Sequence, residues 1–248
     1  MQLDNLKKLY KEPQKVTEYW GKKAGEIDDN LAKITNHALY NHSWNVTVKA
    51  FLDGGLITNE SKVLEVGCGW GRILVGLRRF CPKAQLVGID ITKDFVENAK
   101  FVLEREFGHC DVTVLQGDAM KLDFEDGSFD TVVTTRVLQY VIDPKIAVRG
   151  FYRVLRNGGR VVVCLPNKMN PVRTITYHTK LYSVREVSEW LESAGFNVVK
   201  KTSINYFPSS IYRFDKNNKI IRILENTMQK VPGIRSLGAL ALVVGEKA

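Results

Sequence analysis

Val63-Leu64-Glu65-Val66-Gly67-Cys68-Gly69-Trp70-Gly71-Arg72 is the stretch on which the fold turns. An apolar run enters three glycines at alternate positions, and a helical pattern follows over residues 72–80. Glycine takes positive φ without steric cost and lets a ligand approach the main chain. A strand passing through such a turn into a helix therefore reads as a binding loop. Outward from it, short apolar runs recur at 62–66, 85–89, 112–115, 131–134 and 160–165. Between them, 93–106 places Phe95, Ala99, Val102 and Leu103 on one helical face. Residues 144–155 repeat the pattern, with Pro144 suited to a first helical turn. Strands alternating with helices predict a doubly wound α/β fold, a parallel sheet with helices on both faces.

The flanks are read the same way. Residues 1–61 read as helices: Leu3, Leu6 and Tyr10 lie at helical spacing, and a longer helix is expected over 36–53, before Asp53-Gly54-Gly55. Asn157-Gly158-Gly159 predicts a helix stop followed by a turn. Beyond 165 come a helix at 183–194, a strand at 196–200 and an apolar run at 237–245. About 36 residues separate those two strands, long for a simple connection, so an insert is expected over about 201–236.

Of 248 residues, 44% are apolar and 25% charged, which excludes wholesale disorder and fits one domain. No run of apolar residues is long enough to span a bilayer, and Met1-Gln2-Leu3-Asp4 opens no secretory signal, so a cytoplasmic protein is expected. Cys68, Cys81, Cys110 and Cys164 contain no CxxC pair and read as reduced thiols. His37, His42, His109 and His178 form no metal-ligand pattern, so no metal site is expected. The net charge of +9 is uneven: zero over 1–61, +2 over 62–165 and +7 over 166–248. That excess serves solubility, or it builds a surface attracting an anionic substrate, a membrane or nucleic acid.

A dinucleotide site requires GxGxxG, whose third glycine permits close helix packing. Here Arg72 stands at that position, and Glu65 precedes the first glycine by two residues, an awkward neighbour for a diphosphate. The pattern is instead E-x-G-x-G-x-G, and it resembles motif I of the class I S-adenosylmethionine-dependent methyltransferases. Their cofactor has no phosphate but carries a sulfonium and an amino group, both cationic, which an acidic rim suits. Other positions match in order. Leu86-Val87-Gly88-Ile89-Asp90 ends a second strand in a carboxylate able to accept two ribose hydroxyls, with Ile91 behind it. Leu115-Gln116-Gly117-Asp118-Ala119-Met120 ends the third; by resemblance, Asp118 holds the adenine amino group and the next N–H a ring nitrogen. After the fourth strand, Thr134-Thr135-Arg136-Val137-Leu138-Gln139-Tyr140 corresponds to the family's lining of the methionine part and transfer point. Family members often carry a histidine pair where Gln139-Tyr140 stand. The resemblance implies a seven-stranded, mostly parallel sheet with one antiparallel edge strand at 237–245. It implies cofactor contacts at Glu65, Gly67, Cys68, Gly69, Gly71, Asp90, Ile91, Asp118, Ala119, Met120, Thr135 and Arg136.

Amide methylation is disfavoured, because the [DNS]-P-P-[YF] motif after the fourth strand is replaced by Thr134-Thr135-Arg136-Val137. Cytosine C5 chemistry is disfavoured by the lack of a Pro-Cys pair. Candidate bases are His178, Tyr140 and His42, with His37 beside them; a base helps only a hydroxyl or protonated-amine acceptor. The N-terminal helices resemble the family's lid, where Tyr19-Trp20 and Trp44 offer aromatic walls to a sulfonium. In the insert, 217–230 puts Ile220, Ile223, Leu224, Thr227 and Met228 on one face, either covering the domain or meeting a membrane or substrate. The expected function is methyl transfer to a small O, N or C acceptor, anionic or presented on an anionic membrane. Nucleic acid is not the expected partner. The alternatives are an RNA or protein methyltransferase exploiting the basic C-terminal third, and a non-catalytic cofactor-binding module.

Overall fold

The computed structural model describes residues 18, 47–52, 55–109, 111–170, 180–207 and 219–248. Its elements run β1 (Lys62–Val66), α1 (Arg72–Phe80), β2 (Gln85–Asp90), α2 (Lys93–Phe107), β3 (Val112–Gln116), β4 (Phe129–Thr135), α3 (Pro144–Val154), β5 (Leu155–Pro166), α4 (Val184–Ser193), β6 (Phe196–Ile204), α5 (Lys219–Lys230) and β7 (Leu240–Lys247). The sheet order is β3-β2-β1-β4-β5-β7-β6. β1 pairs in parallel with β2 and β4, and β2–β3 and β4–β5 are parallel as well. β7 is antiparallel to both β5 and β6, so it lies one place in from the edge, and β6 forms the edge. The seven-stranded doubly wound sheet is thus as expected.

Strands buried on both faces send alternate side chains to opposite layers. Val63, Leu86, Val114, Val133 and Val162 meet α1 and α2 through Ile73, Leu77, Val96, Ala99 and Leu103. Leu64, Val66, Val132, Val161 and Val163 meet α3 and α4 through Val148, Phe151, Val187 and Leu191. Two apolar layers enclose one sheet. α3 begins as its sequence dictates, with Pro144 in the first turn and the Asp143 carboxylate accepting from the Lys145 N–H. α4 starts in a capping box between Ser183 and Glu186.

At Asn157-Gly158-Gly159 the expected turn is a bulge inside β5: Leu155 already pairs with Phe129, and the register shifts before Arg160 meets Thr131. Gly158 absorbs that shift at φ +70. Of the expected N-terminal lid, residues 47–52 are helical, and Val48 and Phe51 are buried in the α1–α2 layer. Tyr19, Trp20, His37, His42 and Trp44, like His178 and Cys110, lie outside the described residues.

Candidate functional site

The chain order reverses direction across the sheet between β1 and β4, and loops leaving their carboxyl ends diverge there to leave a crevice. A pocket lies at that point. It is walled by Gly67 and Gly69 after β1, by Asp90, Ile91, Thr92 and Phe95 after β2, and by Gly117, Asp118, Ala119 and Met120 after β3. Thr135, Arg136, Val137, Tyr140, Val141 and Ile142 after β4 complete it. Four consecutive parallel strands each contribute their last residues to one cavity.

The loop after β1 is held by its neighbour. The N–H groups of Gly67 and Cys68 both donate to the Ile89 carbonyl, at 2.8 and 2.9 Å. Asp90 then fastens the loop from below: Oδ2 accepts from the Gly69 N–H at 2.9 Å and Oδ1 from the Thr92 N–H at 3.0 Å. A carboxylate offers about four lone-pair sites, so the two oxygens keep capacity for a ligand on the pocket side. Gly69, at φ +51, has open space where a Cβ would stand. Gly71 performs the close-packing task that GxxG gives to a later glycine, since a Cβ there would meet Ala99 Cβ of α2 at 3.2 Å. Asp118 closes its own turn, Oδ1 accepting from the Met120 N–H at 2.8 Å.

Not every expected contact lines the cavity. Glu65, Cys68 and Gly71 sit behind the loop: Glu65 is 2% exposed, and its carboxyl accepts from the Leu74 N–H in the first turn of α1. Its Oε2 is buried without a partner among the described residues. Burial lifts Glu65 well above the usual carboxylate range; the Leu74 N–H opposes this and the Asp90 carboxylate adds to it. Burial also raises Asp90, against the N–H groups of Thr92 and Gly69. A carboxyl raised in the folded chain holds its proton more tightly there than when unfolded. Its contribution to stability is therefore full below the unfolded value and is lost as pH rises through the folded one. Glu65→Gln, which cannot ionise, is expected to raise the ligand-free melting temperature at neutral and alkaline pH and to flatten the decline from mild acid. Melting curves over that range check it; a lower melting temperature for the variant above neutral pH contradicts the stated electrostatics.

The Cys68 thiol is raised by burial and by the Glu65 and Asp90 carboxylates, so it supplies no thiolate nucleophile. Among the candidate bases, Tyr140 lines the pocket. Several wall residues were not expected: Thr92, Phe95, Gly117, Val137, Val141 and Ile142. Phe95 was legible as a core position on its helix, and it is buried, with its ring 6.4 Å from that of Trp70. The signal that would have found it is its place in the first turn after Asp90. Arg136 holds φ +58, uncommon for a side chain with a Cβ, and its N–H is tied to the Cys164 carbonyl at 2.8 Å. Strained backbone of this kind concentrates at functional sites.

The arrangement suits a nucleoside that carries cationic groups in place of phosphates. Two carboxylates and an open glycine face the cavity, and its one cationic side chain, Arg136, comes from the β4 side.

Comparison with known proteins agrees with this geometry. The methyltransferase domain family matches residues 57–227. Demethylmenaquinone methyltransferases of Staphylococcus aureus, strains Newman and JH9, are 31% identical over 162 residues, covering 60% of this chain. The match spans 66% of the length of those relatives. A SAM-dependent methyltransferase of Thermotoga maritima superposes with TM-score 0.64 at 20% identity, covering 91% of this chain and 97% of its own. One from Aquifex aeolicus gives 0.62 at 18%, covering 92% and 98%. The [4+2]-cyclase SpnF gives 0.63 at 19%, covering 82% and 80%, so the shared fold alone does not name the reaction.

Proposed function

The chain belongs to the methyltransferase domain family, an S-adenosylmethionine-dependent enzyme family, and from that premise we propose that the protein methylates a small organic acceptor bearing an anionic or strongly polar group. The observation that carries this reading is the pocket at the switch point, with Asp90, Asp118 and Gly69 on one side and Arg136 with Tyr140 on the other.

When bound, S-adenosylmethionine supplies a methyl group already activated on a sulfonium. The protein's work is then placement and exclusion of water. Asp90 accepts from the ribose hydroxyls, Asp118 accepts from the adenine amino group, and the Ala119 N–H reaches a ring nitrogen. Gly67 and Gly69 let the main chain approach the methionine part. Glu65, behind the loop, provides negative potential without direct contact. Phe95, Val137, Val141 and Ile142 keep the transfer point apolar. The Tyr140 hydroxyl orients the acceptor or takes a proton from it, and the Arg136 guanidinium holds an anionic group. Demethylmenaquinone, named in the relatives, is one acceptor to assay beside anionic metabolites.

S-adenosylhomocysteine at micromolar concentration is expected to raise the melting temperature, because it binds only the folded chain, while NAD and NADP leave it unchanged. A shift with NAD alone would reverse the cofactor assignment. Labelled S-adenosylmethionine with cell-extract metabolites then identifies the acceptor, and transfer to any of them excludes a non-catalytic module. Transfer to RNA or protein alone would overturn the small-molecule reading. For an anionic acceptor, KM is expected to rise with added salt as the Arg136 side is screened, while that of the cofactor, held by hydrogen bonds in a buried site, stays level. A flat acceptor KM removes Arg136 from that role.

A further inference from the structure

Helix α5 turns its polar side inward and its apolar side out. Glu225, 2% exposed, accepts from the N–H groups of Asn205 at 3.0 Å and Tyr206 at 2.8 Å, just past the end of β6, and so ties the helix to the sheet. On the opposite side, Ile220, Ile223, Leu224 and Thr227 form an i, i+3, i+4, i+7 stripe. Ile220 is 67% exposed, Ile223 58% and Leu224 41%. In the turn that follows, Ile234 and Leu237 are exposed as well. The expectation that this face covers the domain is therefore corrected: the buried anchor is a carboxylate. The local charge has one sign. Glu225, the only acidic residue of α5, is the buried one, whereas Lys230 and Arg235 are exposed.

We propose that α5 and the turn after it form an interfacial helix that docks the protein on an anionic lipid surface. The isoleucine stripe enters the headgroup–acyl boundary, and Lys230 and Arg235 meet lipid phosphates. Charge and apolarity together select this occupant. A nucleic acid offers nothing to the stripe, and a second copy docked about a twofold axis brings the same cations face to face. The location is consistent with the catalytic edge. β7 is antiparallel to both neighbours, so β6 runs in the direction of β5 and β4, and its carboxyl end lies on the side where the pocket opens. The inference goes beyond the methyl-transfer reading and does not rest on it, because docking is measured without turnover.

Co-sedimentation of the full chain with phosphatidylcholine vesicles, with and without about one third phosphatidylglycerol, tests it. Binding is expected to the mixed vesicles and not to phosphatidylcholine alone. Ile220→Ser with Ile223→Ser is expected to weaken it about tenfold, and Lys230→Glu with Arg235→Glu about twentyfold. These side chains already face water, so the melting temperature should not move. Absence of binding, equal binding to both vesicle types, or indifference to either pair of substitutions overturns the proposal. Two outcomes would name another occupant and overturn it equally. A shift in elution from dimer to monomer in the serine variant indicates a second copy. A fall in its melting temperature indicates cover by another segment of this chain.

Discussion

Asp90→Ala lowers affinity for S-adenosylmethionine about 30- to 150-fold, a loss of about 2–3 kcal/mol expected for removing a charge-assisted bidentate acceptor. The structure adds a second consequence. The same carboxylate receives the N–H groups of Gly69 and Thr92, so alanine also releases the loop after β1 and strands two buried donors. The ligand-free melting temperature is expected to fall together with the affinity. Asp90→Asn separates the two effects: one amide oxygen still accepts from the loop, while the bidentate acceptor toward the ligand is gone. Calorimetry on both variants measures the loss. An affinity within about threefold of the parent for Asp90→Ala, well under one kcal/mol, removes Asp90 from the binding site.

Gly67→Ala is expected to destabilise the fold by about 2–5 kcal/mol, the sum of left-handed strain and overpacking. Gly67 stands at φ +74, and a Cβ there would meet Val137 Cγ2 at 2.2 Å and Cγ1 at 2.8 Å. Val137 belongs to the pocket wall after β4, so any relaxation moves that wall and weakens the ligand too. Gly69→Ala is the control. At φ +51 with nothing near its Cβ, it carries about 1–2 kcal/mol of backbone strain and places a methyl group toward the pocket. It should affect ligand affinity more than stability. The double variant Gly67→Ala with Val137→Ala should recover the overpacking part and leave the strain. Urea unfolding of the three chains checks the order; equal losses for Gly67→Ala and Gly69→Ala refute the clash.

Much of the site could be read from the chain because its geometry is local. A strand's last residue and the next few in its turn face the crevice wherever four parallel strands end together. Asp90, Ile91, Asp118, Ala119, Met120, Thr135 and Arg136 could therefore be named from the apolar runs ahead of them, and all line the pocket. Glu65 could not be placed so. Position 65 lies inside β1, where side-chain direction alternates, and its carboxyl reaches the first turn of α1 beneath the loop. Phe95 shows the converse error: an apolar residue at helical spacing reads as core, and whether its ring also borders a cavity depends on the strand beside it.

By itself the sequence determined the order and kind of the elements. β1 and α1 occupy the residues that the apolar run and the glycines marked, since hydrophobic period and glycine's freedom act within a few residues of chain. Only the tertiary structure decided three things. β7 lies inside the sheet rather than at its edge, because strand order is set by which edges remain unpaired when the chain returns. Asn157-Gly158-Gly159 bulges within a strand because Phe129 is there to pair with Leu155. α5 faces outward with its isoleucines because the free backbone N–H groups beyond β6 capture Glu225. Helical period shows that a helix has two unlike faces, but burying one of them requires a neighbour, and here that neighbour is a pair of polar donors.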